Sequence, residues 1–240
     1  MDTLTLKPRI YINVACMENF NEVLGKILDL IVTSGLAQKS EEITLVVNGD
    51  ASLLAYSIVD NLKKIGDNIR IIRGPESLDF MEFPTLDTLW SDSSDLPKET
   101  PILYLHTKGV SRKGSSTVQD WVDFMLYFNV EKWEDRLEEL KAHDCTGVNL
   151  GGDPDDFDKD PSTWGYTASP LCYSGNFWWS NAGHIRNLPM PSKCPPSPTY
   201  RWRMFNEMWI CQLRSGNYYC CHHSNLNHYF SRYPREAYAL

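Results

Sequence analysis

The sequence predicts an α/β fold with a mostly parallel central sheet and helices on both of its faces. Three observations carry that expectation. Short apolar runs alternate with segments of helical periodicity over the first 150 residues. The runs themselves hold few polar residues, as strands covered on both faces do. Hydrophobic residues make up 42 % of the 240 and charged residues 22 %, the usage of a compact globular chain and not of a disordered or fibrous one.

Ile10 to Ala15 reads as the first strand, and Val23, Leu24, Ile27, Leu28 and Ile31 follow at helical spacing until Gly35 offers a C-terminal cap. Ile43 to Val47 is a second strand. Leu54, Ile58 and Leu62 mark a second helix ending near Gly66, and Ile69 to Ile72 a third strand. The fourth strand, Ile102 to Leu105, runs into His106-Thr107-Lys108-Gly109. A helix is then expected from Thr117, with Asp120 completing a capping box, and it buries Trp121, Met125 and Phe128. Asn129 is expected to cap a further helix carrying Trp133, Leu137 and Leu140, before a fifth strand at Thr146 to Leu150. The last ninety residues are rich in Trp, Tyr, Pro and Asn and weak in period. They read as loops and short elements over the C-terminal edge of the sheet, where open α/β sheets bind ligands. No linker divides the chain, so a single domain over residues 1–240 is expected.

Twenty-three basic against thirty-one acidic side chains leave a net charge of −8, which argues against a chain-wide grip on nucleic acid or anionic membrane. The apolar run Ile10 to Met17 is too short to span a bilayer, and Asp2 with the polar Thr3 to Arg9 stretch is no signal-peptide start, so a cytoplasmic location is expected. Seven irregularly spaced cysteines without a C-x-x-C pair read as reduced thiols.

The segments Glu82-Phe83-Pro84-Thr85-Leu86, Leu103 to Val110 (LYLHTKGV), Gly147-Val148-Asn149, Ser174 to Trp179 (SGNFWW) and Glu207-Met208-Trp209-Ile210 resemble, in order over residues 9–210, a group of glycosyltransferase-like proteins from bacterial polysaccharide loci and large viruses. The resemblance implies the GT-A nucleotide-sugar fold, with a nucleotide-sugar-binding half at residues 9–150 and an acceptor and catalytic half at 151–240. It implies transfer of a sugar from a nucleoside diphosphate, UDP by expectation, to a glycan hydroxyl in polysaccharide biosynthesis, with inversion. Nucleotide-sugar donor and glycan acceptor are the expected partners. The alternative is a catalytically inert carbohydrate-binding protein on the same fold, and a metal-dependent hydrolase ranks third.

Such folds usually end the fourth strand in Asp-x-Asp, whose carboxylates hold Mn²⁺ or Mg²⁺ on the diphosphate. Here the position reads His106-Thr107-Lys108, with Arg112 close behind. A divalent metal is compatible with the sequence but not required by it, because cations fixed in the protein serve a leaving diphosphate as well. Lys108, His106 and Arg112 are therefore donor-binding candidates, against the plainer reading of a solvated loop and a structural histidine. Asp50, after the second strand, either accepts from ribose or uracil or closes an Asx turn; Asn13 and Cys16 are weaker candidates for the same pocket. Glu207 occupies the place of the base that an inverting transferase needs, with Arg201 and Arg203 just upstream. Gly175, Asn176, Trp178 and Trp179 are acceptor-binding candidates, one indole being expected in the core and the other at the site. The acidic stretch Asp153 to Asp160 lacks the EF-hand pattern and reads as a solvated loop. His222, His223 and His228 lack zinc spacing, and a lone histidine of this group as a contact to a donor phosphate or a metal is the reading left open.

Overall fold

The computed structural model describes residues 6–50, 52, 62–63, 65–160, 163, 168–193 and 202–239, with the side chains of residues 202 and 203 left aside. In chain order the elements are β1 (Arg9–Ala15), α1 (Phe20–Thr33), α2 (Leu36–Lys39), β2 (Glu42–Asn48), β3 (Ile69–Arg73), α3 (Phe83–Ser93), β4 (Pro101–His106), α4 (Ser116–Leu126), α5 (Trp133–Glu139), β5 (Cys145–Val148), β6 (Leu150–Gly151), β7 (Cys172–Tyr173), β8 (Trp178–Asn181), α6 (Ala182–Asn187), α7 (Trp202–Met208) and β9 (Tyr218–His222).

The central sheet has the order β3-β2-β1-β4-β8-β5-β9. All its pairings are parallel except those of β8, which runs antiparallel between β4 and β5. The fold class read from the sequence is thus the one observed. Period-two alternation sorts the side chains to the two faces. Ile10, Ile12 and Val14 of β1 with Leu103 and Leu105 of β4 pack beneath α1 and α4, alongside Phe20, Leu24, Phe124 and Met125. Tyr11, Ile102 and Tyr104 point the other way, among Phe83 and Leu86 of α3, Ile185 of α6 and Phe205 and Met208 of α7.

Helix α1 closes as expected: Gly35 sits at φ 80°, and its N–H and that of Ser34 return to the carbonyls of Val32 and Leu30. Of the second predicted helix, Leu54 and Ile58 lie outside the described residues. Three boundaries differ from expectation. Ser115, not Thr117, caps α4, accepting from the Val118 N–H at 3.5 Å, because the chain leaves extended backbone two residues earlier. Asn129 caps nothing. It lies in a π-turn, Tyr127–Glu131, and its amide donates back to the Met125 carbonyl. The fifth strand stops at Val148, since Asn149 turns the chain at φ 51° and Leu150–Gly151 then pairs with Cys172–Tyr173 outside the main sheet. The last ninety residues also do more than cover the sheet edge, for they supply β8 and β9 to the sheet itself. Among the described residues no helix is long and apolar enough to cross a membrane, and the six described cysteines are free thiols.

Candidate functional site

Parallel strands β1, β2 and β4 end together, and the segment after β4 is tied to that edge. The Thr107 N–H donates to the Asn13 carbonyl at 2.9 Å, and the Thr107 hydroxyl accepts from the Ala15 N–H at 3.0 Å. Gly109 follows at φ 89°, where a Cβ would stand 3.2 Å from Val118 of α4. That close approach folds Lys108 back against α4. Its ammonium lies 4.1 Å from the centroid of the Trp121 ring, a cation–π contact. Two tight turns, Arg112 N–H to the Gly109 carbonyl and Ser115 N–H to the Arg112 carbonyl, then lead into α4 and leave the Arg112 side chain exposed.

A cleft of about 540 Å³ opens at this place. Lys108, Gly109, Ser111, Arg112, Ser115, Val118 and Trp121 line one side, with Ser174, Met204, Glu207, Tyr229 and Phe230 completing it. Lys108, Arg112 and Glu207, far apart in sequence, therefore share one space holding two cations and one carboxylate. The first turn of α4 borders it as well, which adds the positive end of a helix dipole.

Beneath the cleft runs a buried polar network. Tyr104 Oη donates to Glu82 Oε2 at 2.5 Å and Asn176 Nδ2 donates to the same oxygen at 2.6 Å. Asn176 Oδ1 accepts from the Trp178 indole at 2.8 Å, and its amide also reaches the Asn206 carbonyl at 3.4 Å, on the helix that carries Glu207. His106 Nε2 donates to the Gly175 carbonyl at 3.0 Å, so its Nδ1 is left facing Glu82 Oε1 at 3.9 Å, beyond hydrogen-bond distance. Burial pushes this imidazole below its ordinary pKa, and Lys108 adds to the effect, while the Glu82 carboxylate opposes it.

A second polar cluster joins the C-terminal segment to the end of β5. Asn149 Oδ1 accepts from the Ser224 N–H at 2.8 Å, which orients the amide, and Asn149 Nδ2 then donates to His228 Nε2 at 3.0 Å. With Nε2 accepting, the His228 proton resides on Nδ1. The ring is buried between Trp121 and Phe124, and burial pushes its pKa down.

Measured against the sequence, Lys108, Arg112 and Glu207 come together as donor-side and base candidates. The remaining candidates are placed otherwise. His106 lies under the cleft, not in its lining. Asp50 is exposed at the end of β2 and does not line the cleft. It accepts from the Ser52 hydroxyl at 2.6 Å and the Ser52 N–H at 3.0 Å, bonds that lower its pKa and make the Asx turn the geometry observed. Asn13 accepts from Asn48 and Thr85 in a buried network, and Cys16 is buried. The acceptor-binding expectation for Trp178 and Trp179 is corrected. The indoles do point to opposite faces, but both are wholly buried, because β8 is an interior strand with a packed layer on each side. Gly175 and Asn176 are buried too, and they hold His106 and Glu82. Arg201 and the Arg203 side chain lie outside the described part of the structure.

The acidic stretch folds as a short 3-10 turn. Asp153 accepts from the Asp155 N–H, Asp156 pairs with Lys159, and Asp155 and Asp158 pair with Arg214. Among the described residues no three His, Cys, Asp or Glu side chains gather closely enough to hold a metal ion. Among the described residues that line the cleft, the one carboxylate, Glu207, stands with two cations, Lys108 and Arg112.

Four residues at the site are not among the candidates that the sequence offers. Glu82 precedes a helix with no periodic cue to its burial. Ser174 sits one residue before the Gly175 turn. Tyr229 and Phe230 form an aromatic pair in a segment otherwise rich in Asn, Ser and His, which is a cue that sequence does offer.

No protein-family model matches the sequence, and no curated protein matches it. Among solved structures, the galactosyltransferase LgtC in complex with donor and acceptor sugar analogues is similar at 13% identity and a TM-score of 0.43, over 89% of this chain and 72% of that one. Glucosyl-3-phosphoglycerate synthase from Mycobacterium tuberculosis in complex with UDP is similar at 9% identity and 0.40, over 96% and 74%. 4-Diphosphocytidyl-2C-methyl-D-erythritol synthase is similar at 9% and 0.40, over 85% and 87%. Likeness at these scores carries no argument about this chain's chemistry, which rests on its own cleft.

Proposed function

We propose that this chain is a glycosyltransferase that moves a sugar from a nucleoside diphosphate, uridine-linked, to a glycan hydroxyl with inversion. One observation supports the reading above all: the cleft at the end of β4 joins Lys108 and Arg112 to Glu207 in one space of about 540 Å³. In such a transfer the acceptor oxygen attacks the anomeric carbon and the bond from that carbon to the diphosphate oxygen breaks. The acceptor proton passes to a carboxylate. Negative charge grows on the leaving diphosphate, and fixed cations stabilise it at no cost of reorganisation. Lys108 is held beside α4 as a point charge for phosphate, and exposed Arg112 adds a guanidinium that bonds phosphate through two N–H groups. Glu207 takes the proton.

Titrating UDP into the chain by calorimetry, in EDTA and then in Mn²⁺, and following UDP-sugar hydrolysis with and without glycan tests the proposal. UDP binding that persists in EDTA and turnover that rises with glycan are expected. A chain that binds glycan but neither binds nor turns over the donor is the inert carbohydrate-binding alternative.

A further inference from the structure

The transferase reading needs an acceptor sugar beside Glu207, and the tryptophans that the sequence offered for it are buried. The cleft has a different aromatic wall. Phe230 is 83% exposed and Tyr229 45%, and both line the same cleft as Glu207. A single exposed aromatic on a protein surface needs no explanation. Two adjacent ones at the mouth of a polar cleft are another matter, because the backbone that carries them is tied into a turn there.

The turn that carries them is pinned at both ends. Phe230 N–H and Ser231 N–H both donate to the Asn227 carbonyl, at 3.0 and 2.9 Å, and Tyr229 N–H donates to Asn227 Oδ1 at 3.1 Å. Downstream, Arg232 pairs with Asp120 of α4, and the Tyr233 N–H donates to the same carboxylate at 3.1 Å. Tyr229 is also set edge-on against Trp121, with ring centroids 5.1 Å apart. A ligand that meets this turn therefore finds its backbone and the Tyr229 ring already ordered, which lowers the conformational entropy lost on binding.

The Arg112 guanidinium carbon stands 6.0 Å from the centroid of the Tyr229 ring, so the two walls meet there, but their chemistry differs. Lys108 and Arg112 suit phosphate, whereas neutral ring faces suit a ligand with an apolar C–H face and polar edges, which a pyranose presents. Hydroxyls of such a ring would stay near Glu207 and Ser174, which line the cleft with the aromatic pair. We infer that the Tyr229–Phe230 turn is the platform on which a pyranose of the glycan acceptor stacks. This rests on the transferase reading for the word acceptor, but not for the sugar itself.

The test uses the whole chain and saturation-transfer NMR with methyl glycosides of glucose, galactose, mannose and N-acetylglucosamine, each with and without UDP. Wild type is compared with Phe230→Ser and Phe230→Tyr, and UDP is titrated into all three by calorimetry. Because Phe230 is so exposed, both variants are expected to fold. Transfer to the ring C–H protons of at least one glycoside is expected in wild type. Its affinity should fall about tenfold in Phe230→Ser and be kept in Phe230→Tyr, which restores the ring. Absence of transfer to every glycoside, or a serine variant equal to wild type, overturns the inference. So does a serine variant that loses UDP affinity as much as glycoside affinity, since the rings would then be holding the base. A wild type that binds glycoside but not UDP sinks the transferase reading and leaves the sugar platform standing.

Discussion

The Asn176 amide donates to the Glu82 carboxylate at 2.6 Å, and both side chains are buried. Through that one bond the turn after β7, the start of α3 and, by way of Tyr104, the strand β4 are locked together beneath the cleft. Asn176 also reaches the carbonyl of Asn206, next to Glu207. The pair thus has the geometry of a support for the base candidate, not of a ligand contact.

Glu82→Ala should leave the Tyr104 hydroxyl and one N–H of the Asn176 amide as buried donors without their carboxylate acceptor. The expected destabilisation is about 2 to 4 kcal/mol, and Glu82→Gln, which keeps one acceptor oxygen, should lose less. Urea unfolding measures both. Equal stability of the alanine variant and wild type would show that these bonds are not formed.

Lys108→Ala should weaken UDP binding by ~1.5 to 3 kcal/mol, the scale of a hydrogen bond to a charged group, and should do so equally in EDTA and in Mn²⁺. Lys108→Arg should restore only part, because a planar guanidinium does not reproduce an ammonium packed on the Trp121 face. Calorimetry decides it: UDP binding that requires Mn²⁺ and ignores Lys108 would remove the lysine from the donor site.

Glu207→Gln keeps the side-chain shape and removes the base. Turnover with donor and glycan should drop by ~10² or more while UDP affinity stays close to wild type. A variant with near wild-type turnover would exclude Glu207 as the proton acceptor.

Stability should fall as the pH is lowered below about 6.5. Burial is the largest cause holding His106, His184 and His228 below their ordinary pKa of 6.5, so in the folded chain they stay neutral where the unfolded chain binds protons. The sign follows from linkage: their contribution is fully present above the unfolded value and is lost as pH drops towards the folded one. Each histidine steepens the profile by at most ~1.4 kcal/mol per pH unit. Thermal melts between pH 7.5 and 5.5 should show the decline, and His184→Asn, remote from the cleft, should flatten it. A level wild-type profile would contradict the burial of these rings as charged-state penalties.

Local periodicity determined most of the architecture. The strands β1, β2, β3 and β4, the helix α1 with its Gly35 terminus and the buried faces of α1 and α4 all follow from residues within a dozen positions of one another, and that is the range over which apolar spacing acts. Strand position and resemblance offer Lys108 and Glu207 as candidates, each as a residue by itself. Tertiary structure alone decided what they face. Strands β8 and β9 join the sheet from the far end of the chain, so the SGNFWW segment becomes an interior strand with both indoles in the core. The same return of the chain brings Tyr229 and Phe230 to the cleft, over a hundred positions from Lys108, and ties them to α4 through Arg232 and Asp120. A sequence pattern records which side chains prefer burial, but which of two adjacent tryptophans or histidines meets solvent depends on the layer that packs over it. That layer comes from contacts distant in sequence, whose pairing no local period encodes.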